Sequence, residues 1–149
     1  MASEAEEDEN DFWTHFAEGS FLPTLVLKLV LKVIPTQAPF LVSSILRIAM
    51  DQVQKRFTDP DVKRKIAFTA TALEKRSPDG RAWFAGGDKD GNPTAADFQM
   101  LFAIEAITSP SFGSSEVPES LRNWVDMVHK RPAYMRAYEK GGEYDYAKL

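Results

Sequence analysis

Residues 93–107, PTAADFQMLFAIEAI, combine a helix start signal with a long apolar run. Thr94 is a favourable N-cap residue, and Asp97, three positions later, can accept a hydrogen bond from the Thr94 backbone N–H. This pair predicts a capping box, with Asp in place of the more usual Glu or Gln. Behind it, only Gln99 and Glu105 interrupt the apolar residues. Because a helix that is apolar on nearly every side is buried on nearly every side, we predict that this helix lies at the centre of a bundle.

The other segments of the chain show helical rather than strand periodicity. Apolar residues recur at spacings of three and four, and Pro and Gly fall between long segments. We predict a first helix from about Asp11 to Ile34 that bends near Pro23, and a second helix over 40–57. Asp59 is predicted to cap a third helix, and further helices are predicted to follow Pro118 and Ala133. The predicted fold class is therefore all-α, a multi-helix bundle around a central buried helix.

Acidic residues are concentrated at the N-terminus. Six of the 22 acidic residues lie in the first eleven positions with no basic residue among them, and the remainder of the chain is nearly neutral. We expect an acidic, disordered leader over 1–10, one helical domain over 11–140 and a flexible tail over 141–149. The chain has no basic stripe, so nucleic acid is not an expected partner. The apolar stretch 21–34 is shorter than the ~20 residues that cross a membrane, so no membrane association is expected.

Several classes of chemistry are excluded or disfavoured by the sequence. The chain has no Cys, which rules out a disulfide framework, a thiolate nucleophile and a Cys-ligated metal. It has no nucleophile elbow, phosphate-binding loop or pair of His at helical spacing. Residues 88–92, DKDGN, hint at a calcium loop, but the Gly comes two positions early and Gln99 stands where the closing Glu belongs. We therefore predict no catalytic residue and no metal site in this chain.

Four landmarks resemble the C-terminal helical domain of glutathione transferases, especially fungal and bacterial members. Thr94-Ala95-Ala96-Asp97-Phe98 resembles the capping-box helix of that domain, and RAWFAGG at 81–87 resembles the lead-in to the box. KRPAY at 130–134 is similar to the closing Arg-Pro-Ala helix, and WTHFAEGS at 13–20 is similar to the first helix of the domain. In order and spacing these landmarks cover about residues 11–140.

The resemblance also implies what this chain would lack. Complete family members have a thioredoxin-like domain that carries the activating Ser, Tyr or Cys, a cis-Pro and an acidic-Ser pair for glutathione. VPES at 117–120 echoes those elements only superficially, because it begins a helix. The resemblance therefore implies a cytoplasmic detoxification protein with a hydrophobic electrophile as ligand, a possible homodimer, and no cofactor in this chain. Glutathione would be a co-substrate only if a thioredoxin-like domain is supplied, so whether the chain is an enzyme stays open.

The candidate substrate-binding residues lie on the first predicted helix, which lines the electrophile pocket in similar proteins. They are Phe12, Trp13, His15, Phe16 and Glu18. At about 100° per residue, positions 12, 15 and 16 share a face, and an aromatic face with a polar group is typical of a small-molecule pocket. Core packing, or contact with another domain, remains the alternative. For the whole chain, a protein-docking module of the translation-factor-adaptor type and a small-molecule binder are the alternative functions.

Overall fold

A computed structural model describes residues 4–88, 90–109 and 117–142 of the chain. These residues form α-helices and short helical turns without any strand, which confirms the predicted all-α fold class. The α-helices are α1 (Glu4–Phe16), α2 (Leu22–Val33), α3 (Phe40–Val53), α4 (Asp59–Arg76), α5 (Ala95–Thr108), α6 (Glu119–His129) and α7 (Pro132–Gly141). The loop at 110–116 and the tail at 143–149 lie outside the described residues.

Helix α1 begins earlier than its sequence predicts. It starts at Glu4 rather than near Asp11, so residues 4–10 are helical where a disordered leader was expected. Glu4, Glu6 and Glu7 occupy the first turn, where carboxylates interact favourably with the positive end of the helix dipole. The acidic side chains remain exposed, so the solvated character of the segment is retained while its backbone is ordered.

Two π turns join four of the helices into two continuous helical pairs. The first π turn, Ala17–Phe21, joins α1 to α2, and the second, Gln54–Thr58, joins α3 to α4. A Pro follows each turn, Pro23 or Pro60, and because Pro has no N–H, one carbonyl of the preceding turn lacks its helical donor. In both cases the backbone N–H that closes the π turn bonds five residues back, which keeps the chain helical through the turn.

A π turn interrupts the regular α-helix just before Pro23, where a bend was predicted. The third predicted helix does begin at Asp59, but the prediction that Asp59 caps it is wrong. Thr58 and Asp59 both have helical backbone angles, and neither side chain caps α4. The Asp59 carboxylate instead accepts a hydrogen bond from the Lys28 ammonium at 2.8 Å, which links α4 to α2. Pro60 suggested a break in the chain, but the second π turn leads directly into α4. No free helix end therefore exists for Asp59 to cap.

A second polar link, next to the Lys28–Asp59 ion pair, joins the α1–α2 pair to the α3–α4 pair. The Lys65 ammonium donates to the Ser20 carbonyl oxygen at 3.0 Å and to the Asp61 carboxylate at 2.5 Å. The Thr24 hydroxyl also donates to Asp61, at 3.0 Å. The Lys65 ammonium, with Thr24 and Arg64 adding to its effect, lowers the pKa of Asp61 below its ordinary value of 3.8. The link therefore joins the first π turn and α2 to α4 through an ionised carboxylate.

The core lies around α5, as predicted. Met100, Ala103 and Ile104 of α5 are fully buried. The rest of the core comes from every described helix except α3 and α7 and from the loop before α5; its largest fully buried side chains outside α5 are Phe21, Leu25, Leu73, Phe84, Leu121 and Trp124. The prediction of burial on nearly every side is wrong for one face, because Phe98 is 65% exposed and Phe102 is 51% exposed.

The start of α5 is held by a buried carboxylate. Asp97 accepts hydrogen bonds from the backbone N–H groups of Thr94 and Phe84, both at 2.8 Å, and the predicted capping box is present. Burial raises the pKa of Asp97, although these hydrogen bonds act in the opposite direction. A contribution that the sequence did not reveal comes from α1, where the Asn10 side-chain oxygen accepts from the Ala96 backbone N–H at 3.1 Å. Three segments of the chain thus meet at one helix end.

We predict that Asp97→Ala lowers the free energy of unfolding by about 2–3 kcal/mol, measured by urea denaturation. An ordinary lost cap costs ~1 kcal/mol, and here two N–H groups lose a buried acceptor at once. Asp79→Ala is the matched control, because Asp79 bonds to Ser77 and Arg81 in an exposed turn. Equal losses in the two variants would contradict the assignment of Asp97.

We also predict that the Asp61 link makes stability depend on pH in the acid range. Since the folded-state pKa lies below 3.8, the unfolded chain binds the proton first, and the free energy of unfolding falls as the pH drops from about 4 through the folded-state pKa. Asp61→Asn should remove that part of the decline in urea denaturation measured between pH 5 and pH 3. The exposed Asp51, replaced by Asn, serves as control, and an unchanged decline in Asp61→Asn would refute the prediction.

Candidate functional site

An aromatic cluster occupies the junction of α1 and α4. We define this aromatic cluster as Phe12, Trp13, Phe16 and Phe68. The Phe12 and Phe16 rings are nearly parallel with centroids 6.1 Å apart, and Phe68 approaches Phe16 at 5.3 Å and Phe12 at 6.2 Å. Phe12 and Phe68 are each about half exposed, so the cluster presents an aromatic rim to solvent. Such a rim can contact an apolar or aromatic molecule.

The predicted site residues separate into three groups. Phe12 forms part of the exposed rim, and the Phe16 ring lies half-buried beside it on the same helical face, as the spacing predicts. Trp13 belongs to the core, where its ring lies 4.9 Å from Phe84 and 5.6 Å from Phe68. Trp13 is therefore a core residue and does not line a pocket. Its ring contacts Phe68 on the buried side of the rim.

His15 and Glu18 lie apart from the aromatic rings. The Nδ1 atom of His15 lies 2.7 Å from the carbonyl oxygen of Asp11, one turn earlier in the same helix. Glu18 is exposed in the first π turn. Neither residue takes part in the ring contacts of the aromatic cluster. The polar group that was expected beside the aromatic face, His15 or Glu18, is therefore not among the contacts of the aromatic cluster.

Phe68 is the member of the aromatic cluster that sequence reasoning missed. On α4 it lies outside the apolar stripe formed by Val62, Ile66, Thr69 and Leu73. A large aromatic residue on the otherwise polar side of an amphipathic helix was the available signal. The sequence could not show that this side of α4 faces Phe12 and Phe16, because that depends on the packing of α1 against α4.

A cleft of about 780 Å³ lies between α1 and the loop that leads into α5. Its walls include Glu6, Glu7 and Asp11 from α1 and the backbone of Gly86 and Gly87 from the loop. None of the predicted substrate-binding residues lines this cleft. Its carboxylates would repel an anionic ligand, and its lining contains none of the aromatic rings described above.

The loop that hinted at calcium is organised by its own hydrogen bonds. One carboxylate oxygen of Asp88 accepts from the backbone N–H groups of Asp90 and Asn92, at 2.9 and 2.8 Å. Within the part of the chain that the structure describes, no group of three or more His, Asp or Glu side chains could hold a metal ion. Over the same residues, no helix is both long enough and apolar enough to cross a membrane.

A part-buried polar contact joins α5, α6 and α7. The Glu105 carboxylate lies 2.6 Å from Nε2 of His129 and accepts from the Tyr134 hydroxyl at 2.8 Å. The His129 and Tyr134 rings stack with centroids 4.4 Å apart. The sequence predicted only a structural or surface role for His129. The contact gives it a structural one, since it connects the last turn of α6 to α5 and α7.

Comparison with known proteins finds two glutathione S-transferases. Glutathione S-transferase 1 of Saccharomyces cerevisiae is 23% identical over 134 residues, which cover 89% of this chain and 54% of that protein. Glutathione S-transferase 3 of Schizosaccharomyces pombe is 26% identical over 136 residues, which cover 91% of this chain and 52% of that protein. The chain thus spans about half the length of the curated relatives it matches.

Two other comparisons found nothing: no protein-family model matches the chain, and no solved structure matches it significantly. The likeness to glutathione transferases therefore depends on the two yeast proteins together with the all-helical architecture. The all-helical fold and these matches fit the C-terminal helical domain of the glutathione transferase family.

Proposed function

We propose that this chain is the electrophile-binding and dimer-forming helical half of a glutathione transferase-like protein, and that it does not catalyse conjugation alone. The observation that carries the proposal is the match of about 90% of the chain to two glutathione transferases of which it covers about half. The buried capping box at Thr94 and Asp97 supports the same family independently of identity. A cytoplasmic location and a role in detoxification belong to the same proposal.

The proposed division of labour follows from the chemistry of conjugation. A glutathione thiolate attacks an electrophilic carbon, a sulfur–carbon bond forms, and the leaving group departs as an anion. Activation of the thiol needs a hydrogen-bond donor or a positive field close to the sulfur. In this proposal a thioredoxin-like domain provides that group, and the helical chain holds the electrophile. The surface proposed for that contact consists of the exposed rings of Phe12 and Phe68 with the half-buried Phe16 beside them.

We predict that the purified chain conjugates glutathione to 1-chloro-2,4-dinitrobenzene at no more than the uncatalysed rate, followed by absorbance. Circular dichroism and a cooperative unfolding transition provide the control that the chain is folded, and a full-length glutathione transferase shows that the assay works. Conjugation well above the uncatalysed rate by the folded chain would overturn the proposal that it is not catalytic alone.

A second prediction concerns the aromatic rim. Phe12→Ala and Phe68→Ala should each weaken binding of 1-chloro-2,4-dinitrobenzene about fivefold, since truncation of a contacting aromatic residue costs at least ~1 kcal/mol. Quenching of tryptophan fluorescence measures the binding, because the Trp13 ring lies against Phe68. Met135→Ala is the control, because Met135 is similarly exposed on α7. Equal affinities in all three variants would remove the rim from the proposal.

The exposed face of α5 favours a second candidate function, that of a protein-docking module. Phe98 is 65% exposed on that face, and a partner that covers it would remove an aromatic side chain from water. Conjugation that appears when a separately expressed thioredoxin-like domain of a glutathione transferase is added would support the transferase proposal. Capture of one defined protein that is lost in Phe98→Ser, without restored conjugation, would favour docking. Retention of small molecules alone would favour a ligand binder.

A further inference from the structure

The turn that ends α4 carries a serine at the protein surface. Residues 75–80 read KRSPDG, and Ser77 follows the last residue of α4 with extended backbone angles, φ −152° and ψ 114°. Ser77 is half-buried, and Pro78 and Asp79 after it are exposed. The Ser77 hydroxyl donates a hydrogen bond to the exposed carboxylate of Asp79 at 2.5 Å. An extended surface segment of this kind can enter the cleft of an enzyme that modifies its hydroxyl group.

The residues around Ser77 match one class of such enzymes. Pro78 follows Ser77 directly, and basic residues lie on both sides, at Lys75, Arg76 and Arg81. Proline-directed protein kinases act on a serine that precedes Pro, because Pro leaves no backbone N–H unpaired in the substrate cleft. The basic side chains favour the encounter with a kinase cleft of acidic character. The segment thus combines a sequence that such a kinase accepts with an accessible conformation.

Ser109 is the other position in the sequence at which Ser or Thr directly precedes Pro. Its hydroxyl oxygen is buried at the end of α5, whereas the Ser77 hydroxyl is bonded to an exposed carboxylate. Two basic residues precede Ser77, but Ile107 and Thr108 precede Ser109. The folded chain therefore offers the same dipeptide once in an accessible form and once in an inaccessible form.

We propose that Ser77 is a phosphorylation site for a proline-directed protein kinase that uses ATP as the phosphoryl donor. The Ser77 Oγ atom attacks the γ-phosphorus of ATP, and the new oxygen–phosphorus bond forms as the bond to ADP breaks. The hydroxyl proton passes to the catalytic Asp of the kinase. The phosphoserine that results carries a charge of about −1.5 to −2 at neutral pH. The site lies on a different surface from the aromatic rim, so it does not depend on the proposed transferase role.

The turn that holds Ser77 connects the end of α4 to the start of α6. Gly80, with φ +75°, lies so close to α6 that a Cβ at this position would overlap the carbonyl oxygen of Ser120. The Asn123 side-chain amide donates to the Asp79 carbonyl oxygen at 3.3 Å, and the Ser120 hydroxyl donates to the Glu74 carboxylate at 2.6 Å. A change in the conformation of this turn is therefore transmitted to the first turn of α6.

A phosphate on Ser77 would be placed among unfavourable charges. The hydrogen bond from the Ser77 hydroxyl is the main cause that holds the pKa of Asp79 below its ordinary value of 3.8. Phosphorylation replaces that donor by an anion beside the Asp79 carboxylate and at the negative end of the α4 dipole. The Arg81 guanidinium, 3.6 Å from Asp79, offsets part of this repulsion. The modification should therefore loosen the contact between the turn and α6.

Mass spectrometry of the intact chain tests the site. After incubation with a purified mitogen-activated protein kinase and magnesium ATP, the folded chain should gain one phosphoryl group, and fragmentation should locate it at Ser77. Ser77→Ala should abolish the gain, and the matched control Ser109→Ala should leave it unchanged. Synthetic peptides that span residues 73–82 and 105–114 show whether the kinase accepts each sequence when no fold restricts it.

The phosphorylated chain tests the effect on α6. Its thermal unfolding midpoint should fall by about 3 °C, because the added charge is repelled by Asp79 and by the α4 dipole. Exchange of the Leu121 and Arg122 amide hydrogens, which bond to the Pro118 carbonyl oxygen, should be at least about threefold faster. In Asp79→Asn the phosphate meets no carboxylate in the turn, so the fall in the midpoint should shrink to about half.

Three results would overturn the proposal. A folded chain that stays unmodified at Ser77 while the 73–82 peptide is phosphorylated would show that the turn is not accessible. An unmodified 73–82 peptide would exclude recognition of the sequence by this class of kinase. A phosphorylated chain with an unchanged midpoint and unchanged amide exchange would exclude the effect on α6. None of these measurements involves glutathione, so their outcome is separate from that of the proposed transferase role.

Discussion

The buried carboxylate of Asp97 is the constraint on which the arrangement of the bundle depends. One side chain accepts from the backbone of its own helix start and from Phe84 in the preceding loop, while Asn10 of α1 bonds the next N–H group. These hydrogen bonds fix the loop and two helices relative to one another at one point. Burial disfavours a charged carboxylate, so Asp97 can be buried only because the surrounding hydrogen bonds offset that cost.

The features that the sequence predicted well are those decided by neighbours along the chain. The capping box needs only Thr94 and Asp97, which are three residues apart. The features that it missed depend on distant packing. Asp59 carries the pattern of a helix cap, but the second π turn keeps the backbone helical through it. Phe98 has the character of a core residue and is exposed, because burial requires a neighbouring helix that periodicity cannot report.

The same distinction holds for the candidate site. The helical spacing of Phe12 and Phe16 correctly placed them on one face, and spacing alone could not separate rim from core for Trp13. Phe68, which completes the aromatic cluster, lies more than 50 residues away in the sequence. Only the packing of α1 against α4 brings these rings together. Apolar surface thus remains exposed at the aromatic rim, at Phe98 of α5 and along α2 and α3.

The two π turns have a consequence for how the helices can diverge between related chains. A π turn holds one residue more than an α-helical turn, and each residue rotates the following helix by about 100° about its axis. The extra residue in Gln54–Thr58 therefore sets the rotational phase of α3 relative to α4. A single deletion there would restore regular α-helix and rotate Ile45 and its neighbours about the axis of α3. A different face of α3 would then point outward without any change of side chain.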